Sequence, residues 1–172
     1  MSADAFGSVF TGPGKSDFPF RDSGWIAVAF ERNAHGHARM PEWFFRAAAK
    51  RFNGDGAVRL LIAGDCFAQA RFVDVCVVPF EWDRYREFMS RPELGSIEYR
   101  MASSDRMCGG WADADLTVFG GEPEPMTALL ADLGGAGRLL QHMRQEFLLG
   151  DAAAYPDMDL FFRRLLFPEL RG

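Results

Sequence analysis

Lysine is nearly absent from this chain: Lys15 and Lys50 stand alone, and arginine supplies the rest of its 19 basic residues. Such a bias reads as the codon preference of a GC-rich bacterial genome, although arginine also suits fixed bidentate pairing at interfaces. Against 24 acidic residues the basic ones leave a net charge of −5. Without clustered positive charge, binding to a nucleic-acid backbone is excluded as the main activity. Cysteine is scarce as well. Cys66, Cys76 and Cys108 are an odd number without paired spacing, which predicts reduced thiols in a cytoplasmic protein rather than a disulfide framework. Long apolar runs are missing: Arg, Asp or Gly interrupts each within about ten residues, so no membrane partner is expected. The segment Met1–Gly7 has no basic region followed by an apolar block, as a secretory signal would.

Core-forming material is plentiful. Apolar residues make up 48% of the chain and aromatics 14%, with 17 Phe and 4 Trp. That is enough to offset the entropy of ordering. A length of 172 residues suits one well-buried domain.

Read along the chain, residues 1–23 are rich in Gly, Pro, Ser and Asp, with Phe6, Phe10, Phe18 and Phe20 spaced through them. They predict an extended arm pinned to the body by its aromatics. Trp25–Phe30, Val58–Ala63 and Phe72–Val78 are β-type runs, and Ile97–Met101 alternates like a half-buried strand. Leu116–Phe119 is expected to be the antiparallel partner of Ile97–Met101. Helical spacing marks the segment after Pro41, with Asn53-Gly54 as its stop, and Phe80–Arg91, ended by Pro92. Beyond Gly121 two apolar stripes, Met126 to Leu133 and Leu139 to Phe147, precede a last helix from Pro156 to Phe167. The pattern predicts a single α+β domain with a mostly antiparallel mixed sheet of about five strands and helices packed on one face. Residues 1–23 form the arm, 24–121 the sheet-forming part and 122–172 a helical part.

The stretch richest in chemistry is Ser103–Gly121, which reads as the long loop of a hairpin. If Asp113 and Asp115 alternate at the mouth of the following strand, their Cβ atoms share one face roughly 7 Å apart. Such a pair can hold Mg²⁺ or Mn²⁺ and so activate a hydroxyl for in-line attack. Together, Gly95-Ser96 and Asp113-Ala-Asp-Leu-Thr-Val resemble part of the active-site signature of polymerase-beta-type nucleotidyltransferases. The resemblance spans residues 94 to 119 and implies a metal-dependent nucleotidyl or phosphoryl transfer. It departs from that pattern in a longer separation, in a strand-like rather than helical segment after Gly95-Ser96, and in lacking an assignable third carboxylate. The other reading is a solvated hairpin mouth.

Other motifs are weaker. Gly12–Ser16 matches only the tail of a phosphate loop, and Pro19 disfavours the helix that should follow. Asp157 and Asp159 fit the negatively charged first turn of a helix whose last turns carry Arg163 and Arg164. His35 and His37 read as loop residues and His142 as a partly covered surface residue, since a structural zinc site wants four ligands with recognisable spacing. Cys66 is the thiol best placed for reactivity, yet Asp65 beside it opposes a thiolate.

With no catalytic set assembled and no resident cofactor implied, the leading expectation is a non-catalytic bacterial binding protein. An inhibitor or immunity-type (toxin-neutralising) protein with a basic partner fits best. Its surface would comprise Asp105, Trp111, Asp113, Asp115, Glu122 and Glu124, an aromatic anchor among acids. The alternatives are the Asp113/Asp115 metal-dependent transferase and a structural subunit of a larger assembly.

Overall fold

The structure is a computed structural model that describes residues 4–11, 18–66, 71–72, 75–94 and 98–172. Its frame is an antiparallel sheet of seven strands: β1 (Ile26–Glu31), β2 (Arg59–Cys66), β3 (Arg71–Phe72), β4 (Cys76–Pro79), β5 (Glu98–Ser103), β6 (Cys108–Ala112) and β7 (Leu116–Gly121). The spatial order is β1-β7-β6-β5-β2, and β3 and β4 share the far edge of β2. The sheet is therefore six positions wide where the sequence pattern indicated about five. The helices are α1 (Asp4–Val9), α2 (Glu42–Phe52), α3 (Trp82–Met89), α4 (Pro123–Asp132), α5 (Ala136–Leu148) and α6 (Pro156–Leu166). This is the expected α+β architecture, built around one contiguous apolar core. No helix is long and apolar enough to cross a membrane among the described residues.

Three local expectations change. Leu116–Gly121 does not pair with β5, because β6 lies between them and hydrogen-bonds to both. The segment read as one long loop is therefore a meander of tight turns. Its middle strand, Cys108-Gly-Gly-Trp-Ala, escapes a sequence reading because paired glycines have little β-propensity. The run from Phe72 to Val78 appears as β3 and β4, with residues 73 and 74 outside the described ones. The arm, expected to be extended, begins with the short helix α1.

Strand periodicity sorts the sheet into two faces. One carries Val28, Phe30, Phe119, Tyr99 and Met101, as the registers of β1, β7, β6 and β5 require. Helices α2 and α3 cover it. Phe44 packs between Phe30 (4.7 Å between ring centroids, tilted) and Phe119 (5.4 Å, edge-on). On α3, Tyr85 places its hydroxyl 2.7 Å from that of Tyr99. The opposite face is floored by Ala27, Gly109 and Gly120, and the arm lies over it through Val9, Phe10 and Phe20. Phe6, Phe10 and Phe20 are all buried, as the spacing of aromatics in the arm predicted.

The remaining helices close the β1 edge. An edge strand presents unpaired N–H groups that invite pairing with another chain. Here α5 answers them: Ala29 N–H donates to Met143 Sδ at 3.3 Å and Glu31 N–H to Glu146 Oε2 at 2.9 Å. Helix α6 is tied to α5 by Arg144 and Asp159 in a two-pronged ion pair of 2.6 and 3.0 Å. At the end of the chain Arg171 donates to the carbonyls of Ser23 and Trp25, and its guanidinium lies 3.6 Å from the centre of the Phe18 ring.

Candidate functional site

The six residues singled out by sequence fall into two groups at opposite ends of β6. Asp105 sits in the β5–β6 turn, where its carboxylate accepts the Met107 N–H at 3.1 Å. Glu122 and Glu124 are exposed at that same end, since Glu122 N–H donates to the Met107 carbonyl at 2.9 Å. Asp113 and Asp115 occupy the β6–β7 turn, five strand residues away, or about 17 Å along the strand. Trp111 is half-buried near this second turn, opposite Arg100 on β5 and Val118 on β7.

The expected alternation of Asp113 and Asp115 on one strand face is not present, because both lie in the turn. Asp113 Oδ1 accepts the N–H groups of Asp115 (2.8 Å) and Leu116 (2.9 Å), while Arg32 donates to the Asp113 carbonyl. Short polar side chains take this role in turns. A carboxylate spent on two amides and pointed back into its own turn is a poor half of a metal pair. Gly95 and Ser96, the other part of the transferase-like pattern, lie outside the described residues, as does Gly12–Ser16. Among the described residues, none of the five acids of the proposed surface takes part in an ion pair.

Other sequence candidates resolve simply. Asp157 and Asp159 do open α6, and Asp159 in addition grips Arg144 on α5. Cys108 is fully buried, and burial pushes its thiol well above the ordinary range. That makes it an inert core residue. Cys76 is half-buried, and the side chain of Cys66 lies outside the described ones.

A different constellation emerges from the tertiary structure. His35 lies in the short helical segment Arg32–Ala38 that leaves β1, and His142 and Glu146 lie one turn apart on α5. The Nε2 atoms of both histidines converge on one oxygen, Glu146 Oε1, at 2.7 Å from His35 and 3.0 Å from His142. All three side chains are half-buried. The other carboxylate oxygen accepts the Glu31 N–H. The Glu31 side chain in turn caps the next segment by accepting from the amides of Asn33 and Ala34, which fixes the turn that carries His35. Around the imidazoles, the Phe30 ring lies 6.0 Å from His35 and 6.2 Å from His142, and Trp43 stands edge-on to His142 at 5.2 Å. Burial works to raise the Glu146 carboxyl, but His142, His35 and the Glu31 amide outweigh it and hold the group down at about 2. The carboxylate is thus ionised at any physiological pH.

Only one fragment of this site is visible in the sequence: the four-residue spacing of His142 and Glu146, which places them on one helix face. His35 is 111 positions from Glu146 and joins it only because α5 packs along β1. Comparison with protein-family models, with curated proteins and with solved structures gave no match, so the reading of this chain rests on its own geometry.

Proposed function

We propose that this chain is a non-catalytic, cytoplasmic protein-binding domain of the inhibitor or immunity type, which meets a basic protein partner through the β5–β6–β7 meander. The observation that carries this reading is charge left unanswered. Asp105, Asp113, Asp115, Glu122 and Glu124 face no cation at ion-pair distance among the described residues. Several carboxylates elsewhere are matched, Glu42 by Arg46, Asp132 by Arg51 and Asp159 by Arg144, while others such as Asp22, Asp55 and Glu81 are not, among the described residues. What sets the meander apart is five unmatched acids around Trp111. An unneutralised acidic field steers a basic surface toward it and speeds encounter. Trp111, half-buried beside the β6–β7 turn, offers rigid aromatic area for the partner to cover. A standard interface buries about 800 Å² on each side, a disc roughly 30 Å across, so one partner can span both acidic ends of β6.

The test begins with recovery of the protein that travels with the tagged chain in its native host. Binding of that purified protein is then measured against wild type, Trp111→Ala and the triple reversal Asp115→Lys, Glu122→Lys, Glu124→Lys. The reading expects a basic partner, an association rate that falls with salt, and at least a tenfold slower association for the reversal variant. An acidic partner, or an affinity indifferent to salt, to charge reversal and to Trp111→Ala, overturns it.

A further inference from the structure

We propose that His35, His142 and Glu146 form a binding site for a first-row divalent transition metal, Zn²⁺ by its donor set, with one coordination position left open. The proposal is independent of the partner-binding surface and begins with convergence. Three side chains from two segments bring one donor atom each into one place, and these atoms all lie within 4.8 Å of one another. In a tetrahedral zinc site, with bonds of about 2.0–2.1 Å, neighbouring donors stand about 3.3 Å apart. The present separations from Oε1, 2.7 and 3.0 Å, open to that value with a few tenths of an ångström of movement. The two imidazole nitrogens, within 4.8 Å of each other, must settle at the same spacing.

A second observation points the same way. The His142 Nε2 atom is buried, and its 3.0 Å contact with Glu146 Oε1, though close enough to help hold that carboxyl down, is too far out of line to satisfy the nitrogen fully. An unsatisfied buried ring nitrogen costs free energy that a metal bond would recover. On metal binding the Nε2 protons that face Oε1 shift to Nδ1 or are released, and the two Nε2 lone pairs and the carboxylate then supply a two-nitrogen, one-oxygen set.

That donor set decides the class of ion. Imidazoles favour zinc, copper, iron and nickel over magnesium and calcium, which prefer all-oxygen cages. Three protein ligands, instead of the four of a closed structural site, leave room for water or an exchangeable anion. The second shell is already in place. The Glu31 amide occupies Oε2 and so presents Glu146 through Oε1 alone, and the caps made by the Glu31 carboxylate hold the His35 turn. Trp43, 44% exposed beside His142, marks the solvent side from which the fourth ligand would enter. A bound ion would cross-link the turn after β1 to α5.

Tag-free full-length protein is titrated with Zn²⁺ in competition with a chromophoric chelator, and separately with Co²⁺ as a visible-spectrum reporter. One equivalent of Zn²⁺ is expected to bind. Glu146→Gln and His142→Gln should each weaken binding about 100-fold or more, whereas His37→Gln, exposed and outside the cluster, should leave it unchanged. The Co²⁺ complex should show the intense bands of low coordination, and added azide should shift them by entering the open position. Absence of stoichiometric Zn²⁺ binding, or affinity retained in the His35→Gln, His142→Gln double variant, overturns the site. Should a variant fail to fold by circular dichroism, the wild-type Co²⁺ spectrum decides alone, and weak octahedral bands overturn the proposal.

Discussion

Gly120 lies directly beneath Phe20. A Cβ added at this glycine would stand 2.5 Å from Cε2 of the ring, well inside van der Waals contact. The cross-strand neighbour of Gly120 is Gly109, where a Cβ would meet Val9 at 2.9 Å and the Met101 carbonyl at 2.8 Å. The two glycines form a flat floor across β6 and β7 on which the arm's aromatics rest. They are the reason a strand so poor in β-formers exists in the middle of the sheet.

Replacing Gly120 by Ala therefore overpacks the joint between arm and sheet. A loss of about 1–3 kcal/mol is expected in urea unfolding. Phe20→Ala alone should cost about 3–5 kcal/mol by leaving a cavity. In the double variant the clash has no partner, so the combined loss should fall short of the sum. Strict additivity would show that the arm does not rest on this floor.

The buried pair Tyr85 and Tyr99 makes a directional chain. Tyr85 donates its hydroxyl proton to the Ala38 carbonyl at 2.7 Å, which leaves its oxygen to accept from Tyr99. Tyr85→Phe removes the acceptor for one group and the donor for another, at a cost of about 1–3 kcal/mol, while Tyr99→Phe should cost less. Burial, acting with the neighbouring phenol, raises Tyr85 well above the usual range, and burial raises Tyr99 too. In the unfolded chain both ionise near pH 10, so stability falls as the pH rises through that value. Absorbance titration should find Tyr85 and Tyr99 ionising only as the protein unfolds. Ionisation of Tyr85 and Tyr99 while the protein stays folded would contradict this arrangement.

Much of the fold was legible because burial imposes periodicity. Phe44, Ala48 and Phe52 on α2, and Leu139 and Met143 on α5, recur at helical spacing and are all buried. The alternation of Tyr99 and Met101 likewise matches β5. Strand β6 was not legible, since Gly109 and Gly110 answer to neighbours distant in sequence rather than to a local preference. The Asp113 and Asp115 pattern misled for a related reason: the spelling Asp-x-Asp suits a turn as well as a strand mouth, and only the hairpin register decides. The His35 and Glu146 contact was beyond reach, because it depends on α5 returning to the open edge of β1.

Acid should weaken the fold through Asp159 and Glu146. The two-pronged bond to Arg144 holds the Asp159 carboxyl below its ordinary range, against the effect of burial, and Glu146 is held down by its histidines and the Glu31 amide. Both groups bind a proton more readily in the unfolded chain. Their contribution is complete above about pH 5 and is lost progressively as the pH falls toward about 2. Asp159→Asn should cost about 1 kcal/mol at neutral pH and flatten the acid limb of the stability curve. A variant curve parallel to wild type down to acid pH would remove Asp159 from the account.

Helix α5 guards the β1 edge, and Met143 is its buried point of contact there. The Sδ atom is a weak acceptor for the Ala29 amide, and the side chain is fully buried. Met143→Ala should cost about 2–5 kcal/mol through the cavity it leaves. Hydrogen exchange separates this loss from a general one. In wild type the Ala29 and Glu31 amides, though on an edge strand, should exchange as slowly as those between paired strands, because α5 covers them. In Met143→Ala the Ala29 amide should accelerate more than the Val28 amide on the paired side of the same strand. Equal acceleration along all of β1 would mean that Met143 supports the core without sealing the edge.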